Sequence, residues 1–194
     1  MKRTACLVLL PVLFLTVSPA LAHVGVGETS GFAAGFGHPM SGIDHMTVMI
    51  AVGLWAALKG GRALWVWPAA FVGVMLVGGA LGMAHVPIPF VEPGILASVV
   101  ALGLLVALAV DLPIWTGAAI IGLFALFHGH AHGTEIPETA SGVAYMAGFA
   151  LATAFLHGIG ISATVILGAR FRAIVRLAGA ACAATGVGLV AGVI

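Results

Sequence analysis

Six long apolar stretches, each almost free of charged side chains, constrain this chain more than any other feature. A helix that crosses a bilayer needs about 20 apolar residues. The stretches that approach or exceed this length are 30–58, 63–84, 93–110, 113–127, 141–167 and 172–194. A soluble domain carries about a quarter charged residues, whereas only 7% of this chain is charged. The sequence therefore predicts an all-α integral membrane protein with six transmembrane helices, the fourth continuing past Phe127.

The first 22 residues have the composition of a secretory signal peptide. Lys2 and Arg3 precede an apolar run, which ends in the small-residue sequence Ala20-Leu21-Ala22. We expect cleavage after Ala22, so that residues 23–194 form a single transmembrane permease domain. The alternative is an uncleaved first helix. Both arrangements place residue 23 outside the cytoplasm.

The basic residues indicate the orientation of the mature chain. With residue 23 outside, six spans place the loops at 59–62, 111–113 and 168–172 in the cytoplasm and both termini outside. The Lys and Arg residues beyond the signal peptide all lie in or beside these loops: Lys59, Arg62, Arg170, Arg172 and Arg176. This distribution satisfies the positive-inside rule. It also forms no basic stripe of the kind that binds nucleic acid.

Ionisable residues interrupt the first span, in the sequence His38-Pro39-Met40-Ser41-Gly42-Ile43-Asp44-His45. Such groups are costly in a membrane and indicate function, and imidazole with carboxylate suits a divalent transition metal. On a continuous helix His38 and His45 would stand about 10.5 Å apart along the axis, too far for one ion with bonds near 2 Å. Pro39 and Gly42 favour a broken helix, with Ser41 as the cap of its second half. We expect one site at this break, or two sites in succession. The alternative is a structural Asp–His pair.

Three histidines form a second motif, Phe127-His128-Gly129-His130-Ala131-His132-Gly133-Thr134-Glu135. His128 and His132 share one face if the segment is helical, whereas an extended chain would place all three imidazoles on one side. Either conformation could chelate a divalent metal, with Glu135 supplying an oxygen ligand. The alternative is an exposed polar loop.

Two isolated residues complete the candidate metal ligands. Glu92 could be an entrance ligand, or a carboxylate that the dipole of the following helix favours. His157 lies near the middle of the fifth span, where a lone histidine often forms an interhelical hydrogen bond. Its expected depth is similar to that of Asp44, which strengthens its candidacy as a ligand.

Together these motifs resemble the HupE/UreJ family of bacterial nickel permeases. The resemblance rests on the two histidine motifs and on three further sequences: Val52-Gly53-Leu54-Trp55-Ala56, Glu92-Pro93-Gly94, and Gly148-Phe149-Ala150 with His157. It implies uptake of nickel, or of cobalt in some members, across the inner membrane to supply hydrogenase or urease. The metal-handling residues that it implies are His38, Asp44, His45, Glu92, His132 and Glu135. The chemistry of the side chains adds His128 and His157.

We therefore expect a secondary-type permease rather than an enzyme. Its partners are the divalent metal ion, which is substrate and not resident cofactor, and the lipid bilayer. The sequence has no nucleotide-binding motif, so we expect no use of ATP, and it leaves a homo-oligomer open. The alternative is an intramembrane zinc-dependent hydrolase, in which histidines, an aspartate and Ser41 would activate water against a lipid amide or ester. A metal-binding subunit without transport is a third reading.

Overall fold

The computed structural model describes residues 31–136 and 141–193, and the regular elements in these ranges are all helical. The expected signal peptide and its cleavage site lie outside the described residues. The helices are α1 (Gly31–Gly37), α2 (Ile43–Lys59), α3 (Ala63–Met83), α4 (Val91–Ala107), α5 (Ile114–Thr134), α6 (Gly142–Leu167) and α7 (Arg172–Val190). Short 3-10 turns at His38–Met40 and Ala169–Phe171 precede α2 and α7.

The described residues contain four or five candidate membrane spans. Helices α3, α5, α6 and the segment Ala169–Val190 are each long and apolar enough, and the bent pair α1–α2 would be the fifth. Helix α4 is apolar but has 17 residues. At 1.5 Å per residue it extends about 25 Å, less than the roughly 30 Å hydrocarbon core. The all-helical, multi-pass architecture is confirmed, while the count of six stays a prediction.

The first span is broken where the sequence predicts it. The axes on either side of the break, Gly31–Met40 and Ile43–Lys59, differ in direction by 80°. Pro39 lies in the 3-10 turn, and Gly42 adopts an extended conformation at the start of α2. The expected Ser41 cap is wrong, because its hydroxyl donates to the carbonyl of His38 at 2.6 Å and Gly42 occupies the cap position.

Helices α3 and α5 are packed in direct backbone contact. A Cβ atom at Gly129 would lie 1.9 Å from the carbonyl oxygen of Met75, and one at Gly78 would lie 2.4 Å from that of Leu126. Only glycine permits such an approach. The same helix α5 continues beyond Phe127 to Thr134, as expected, and therefore carries the second histidine motif on a rigid element.

Candidate metal site

A cavity of about 420 Å³ lies at the break between α1 and α2. The start of α4 and the end of α5 complete its walls. Its lining includes six of the eight candidate ligands: His38, Asp44, His45, Glu92, His132 and Glu135. The break, the first turn of α4 and the end of α5 thus bring together residues that are distant in sequence. The two remaining candidates, His128 and His157, lie outside this lining.

Three of these side chains form a compact group of metal-ligand atoms. One ligand atom each from His38, His132 and Glu135 lies within 4.8 Å of the others. Glu135 Oε2 is 3.7 Å from His38 Nε2 and 3.5 Å from His132 Nδ1. Interaction with the His132 side chain holds the pKa of Glu135 below its ordinary value, so the carboxylate is ionised at neutral pH. Small movements would bring the three atoms within the roughly 2 Å bonds of a divalent ion.

Asp44 orients the imidazole of His45. The Asp44 carboxylate oxygen Oδ1 accepts hydrogen bonds from His45 Nδ1 at 2.8 Å and from the His45 backbone N–H at 2.9 Å. Because the carboxylate can only accept, Nδ1 carries the proton and Nε2 keeps its lone pair. Nε2 is buried and has no hydrogen-bond partner among the described residues. A carboxylate that holds a histidine in this way is a common outer partner in metal sites.

Four imidazoles form a continuous row from the cavity into the protein, which we call the imidazole row: His38, His132, His45 and His128. Successive ring centroids are 4.7, 4.3 and 4.8 Å apart. The His38 side chain is 41% exposed, whereas His128 is fully buried. The row therefore leads from an accessible imidazole to one that water does not reach.

The row exists because α5 stays helical to Thr134. His128 and His132 share one face, so the helical alternative from the sequence is the one the structure adopts. His130 is on another face, where its Nε2 contacts the carbonyl oxygen of Val86 at 2.8 Å. His130 could have joined the imidazole row only if this segment were extended rather than helical.

Ser98 is a site residue that the sequence analysis missed. Its hydroxyl donates to the carbonyl of Ile95, so its oxygen is free to accept from His128 Nε2–H, 2.9 Å away. This leaves the buried His128 Nδ1 with a lone pair and no partner in the described ranges. The available signal was a single hydroxyl in the part of α4 that follows Glu92 and Pro93, which is otherwise apolar.

His157 lies on α6, away from the cavity lining. Its ring packs against Phe71 of α3, with centroids 5.1 Å apart. Both of its ring nitrogens are buried and without a hydrogen-bond partner within 31–136 and 141–193. The sequence analysis allowed an interhelical hydrogen bond at His157. The His157 ring forms no such bond within the described residues.

Comparisons with known proteins place this chain among relatives of similar sequence. A family model described as HupE / UreJ protein matches residues 10–189. The chain is also similar to Protein HupE of Rhizobium leguminosarum bv. viciae, with 45% identity over 176 residues that cover 90% of this chain and 92% of the relative. No solved structure matches. These matches give no support to the lipid-hydrolase alternative. Extending over nearly the whole sequence, they show that the chain belongs to the HupE/UreJ family, whose members are metal permeases and accessory proteins rather than enzymes.

Proposed function

We propose that this protein carries Ni²⁺, or Co²⁺, from the periplasm to the cytoplasm as a secondary-type permease. Family membership supports nickel or cobalt transport in the service of hydrogenase or urease. The observation that carries the proposal is the imidazole row, which begins at an accessible cavity and continues into the core. Buried nitrogens of its rings have no hydrogen-bond partner among the described residues. Neutral imidazole is a favoured ligand for nickel and related ions.

In the proposed topology the mature chain has six spans in the inner membrane. The bent pair α1–α2 is one span and α4 is another, crossing a locally thinner bilayer. Both termini are then periplasmic. The cavity faces the periplasm, and the basic loops face the cytoplasm as the positive-inside rule requires.

The proposed path follows the charges that the cavity presents. Glu92 and Glu135 attract the cation, and His38, His132 and Glu135 form its first binding position. The ion then passes to His45, which Asp44 orients, and to His128. The negative charges of Asp44 and Glu135 compensate the two positive charges of the ion, which reduces the cost of moving it out of water.

Metal uptake by the purified protein in liposomes tests this proposal, with nickel, cobalt and zinc compared. Asp44→Asn and His45→Ala should reduce uptake to the level of empty vesicles, since each removes either the orienting charge or a ligand of the row. His130→Ala is the matched control, because this imidazole is bonded to the Val86 carbonyl outside the row; it should retain uptake.

Normal uptake by both site variants would refute the assignment. Metal binding without accumulation inside the vesicles would instead favour the reading of a binding subunit without transport. Preference for nickel or cobalt over zinc would support the proposed substrate, and preference for zinc would contradict it.

A further inference from the structure

We propose that Phe71 is an inner gate, which separates the imidazole row from a second ion position at His157. This inference rests on the proposed transport function and extends it beyond the cavity. It assigns a role to a buried phenyl ring and to a buried histidine that the cavity does not contain.

The phenyl ring of Phe71 contacts the last imidazole of the row on one side. Its centroid is 5.9 Å from that of His128, with an angle of 50° between the rings. It also contacts His157, at 5.1 Å and 83°. Phe71 itself is fully buried. One aromatic side chain thus touches both the end of the row and the next histidine.

The surroundings of His157 supply further donor atoms. Thr153 precedes His157 by one helical turn on α6, and Met75 follows Phe71 by one turn on α3, so each pair shares a face. The two faces meet, since Thr153 Oγ1 is 3.6 Å from Met75 Sδ. A thioether and a hydroxyl thus lie one helical turn from the contact between Phe71 and His157, and an imidazole together with a thioether suits a late transition-metal ion.

The environment of the His157 ring is unusual for a residue with a purely structural role. It is 1% exposed, and neither ring nitrogen has a partner in the described part of the chain. Buried polar atoms are almost always hydrogen-bonded, and leaving one unsatisfied destabilises the folded protein. An ion that binds His157 during transport would satisfy one of these nitrogens.

A phenyl ring in this position can control passage. An ion held about 2 Å from an imidazole nitrogen cannot move past a packed ring unless that ring rotates. The face of an aromatic ring also attracts cations, so Phe71 can stabilise a partly dehydrated ion as it crosses. The gate would hold the ion in the imidazole row until rotation admits it to His157.

Two opposite substitutions in liposomes test the gate. Phe71→Ala removes the ring, and nickel should leak from preloaded vesicles at zero membrane potential about tenfold faster than from wild-type vesicles, the factor of a barrier change near 1.4 kcal/mol. Phe71→Trp enlarges the ring and should slow uptake. Equilibrium nickel binding by the solubilised protein should be unchanged in both, because the imidazole row is intact.

His157→Gln tests the second position. Uptake should fall about tenfold, again the factor of a 1.4 kcal/mol barrier change, while nickel binding to the row is retained. This separation of binding from transport would not result from general destabilisation. Val175→Ala is the control for core truncation, because Val175 is buried on α7, which contributes no residue to the imidazole row. It should retain wild-type uptake, and a loss of uptake equal to that of His157→Gln would overturn the second ion position. If Phe71→Ala does not fold, Phe71→Leu removes the ring at similar volume and should still raise the leak.

The outcomes separate this inference from the proposed function. If wild-type vesicles accumulate metal but both Phe71 variants change transport in the same direction, or His157→Gln transports normally, the gate is refuted and the permease stands. If wild-type vesicles accumulate no metal, the proposed function fails and the gate fails with it.

Discussion

Proton positions on two buried imidazoles determine which nitrogens can bind a metal. Asp44 accepts from His45 Nδ1, and Ser98 accepts from His128 Nε2. The opposite nitrogen of each ring, Nε2 of His45 and Nδ1 of His128, is left with a lone pair. In the proposed metal path, these two hydrogen bonds therefore prepare both rings as neutral ligands before an ion arrives. Such outer partners typically change metal affinity by about 10–100-fold when they are removed.

Substitution of Ser98 is the more specific test of these tautomer-fixing hydrogen bonds, because Ser98 does not line the cavity. Ser98→Ala should weaken nickel binding by about tenfold or more, since His128 loses the acceptor that fixes its tautomer. Isothermal titration of the solubilised protein measures the affinity. Thr164→Ala is a matched control: this buried hydroxyl returns to the carbonyl of Gly160 on its own helix, and its removal should leave binding unchanged. Equal affinities for the wild type and Ser98→Ala would show that His128 needs no orienting partner.

Residue type explains which site residues could be predicted from the sequence. His38, Asp44, His45 and His132 are ionisable residues in apolar surroundings, and their cost in a membrane marks them without any knowledge of the fold. Ser98 and Phe71, in contrast, are of residue types that are common in membrane helices. The roles proposed for these two residues depend on the neighbours that tertiary packing provides, which no local sequence pattern specifies.

At the scale of elements, glycine contacts fix the position of the second histidine motif. Gly129 lies between two histidines, and its Cα packs against the α3 backbone at Met75. This contact sets the rotation of α5, and hence the direction in which His128 and His132 point. Packing of α5 against α3 is thus a condition for the imidazole row.

Gly129→Ala should destabilise the protein by about 1–3 kcal/mol, the usual cost of overpacking, because the new methyl group would overlap a backbone oxygen. It should also lower nickel uptake, since α5 must shift or rotate. Gly73→Ala is the matched control on α3, where a Cβ would meet no atom of the described residues within 4 Å. This substitution should leave the free energy of unfolding unchanged, or raise it by up to about 1 kcal/mol because alanine has the higher helix propensity. Thermal unfolding in detergent measures the stability of both variants. Equal melting temperatures for Gly129→Ala and Gly73→Ala would contradict the packing account.

The elements themselves were predictable to different degrees. Pro39 and Gly42 are local signals, and the break lies where they stand. The extension of α5 past Phe127 also followed from length, because a 15-residue stretch from 113 to 127 is short for a span. Length and composition do not identify α4 as a crossing, because this apolar helix has 17 residues, fewer than the roughly 20 that a span needs.

The whole molecule is polarised along its helices. The cavity with its imidazoles and carboxylates lies where α1 meets α2, where α4 begins and where α5 ends. Lys59, at the far end of α2, forms an ion pair with Asp111 in the connection between α4 and α5. If the cavity faces the periplasm, as proposed, a cation that enters there moves toward the negative side of the bacterial membrane.

This polarity predicts that the membrane potential drives accumulation. Each elementary charge gains about 2.3 kcal/mol per 100 mV, so a divalent ion gains about 4.6 kcal/mol, equivalent to a concentration ratio of about two thousand. Potassium-loaded liposomes treated with valinomycin should therefore accumulate nickel when the interior is negative, and lose that accumulation when external potassium abolishes the potential. Vesicles with His45→Ala correct for passive leak and should not respond. Uptake that ignores the potential but follows an imposed pH gradient would show that proton movement, rather than the charge of the metal ion, supplies the energy.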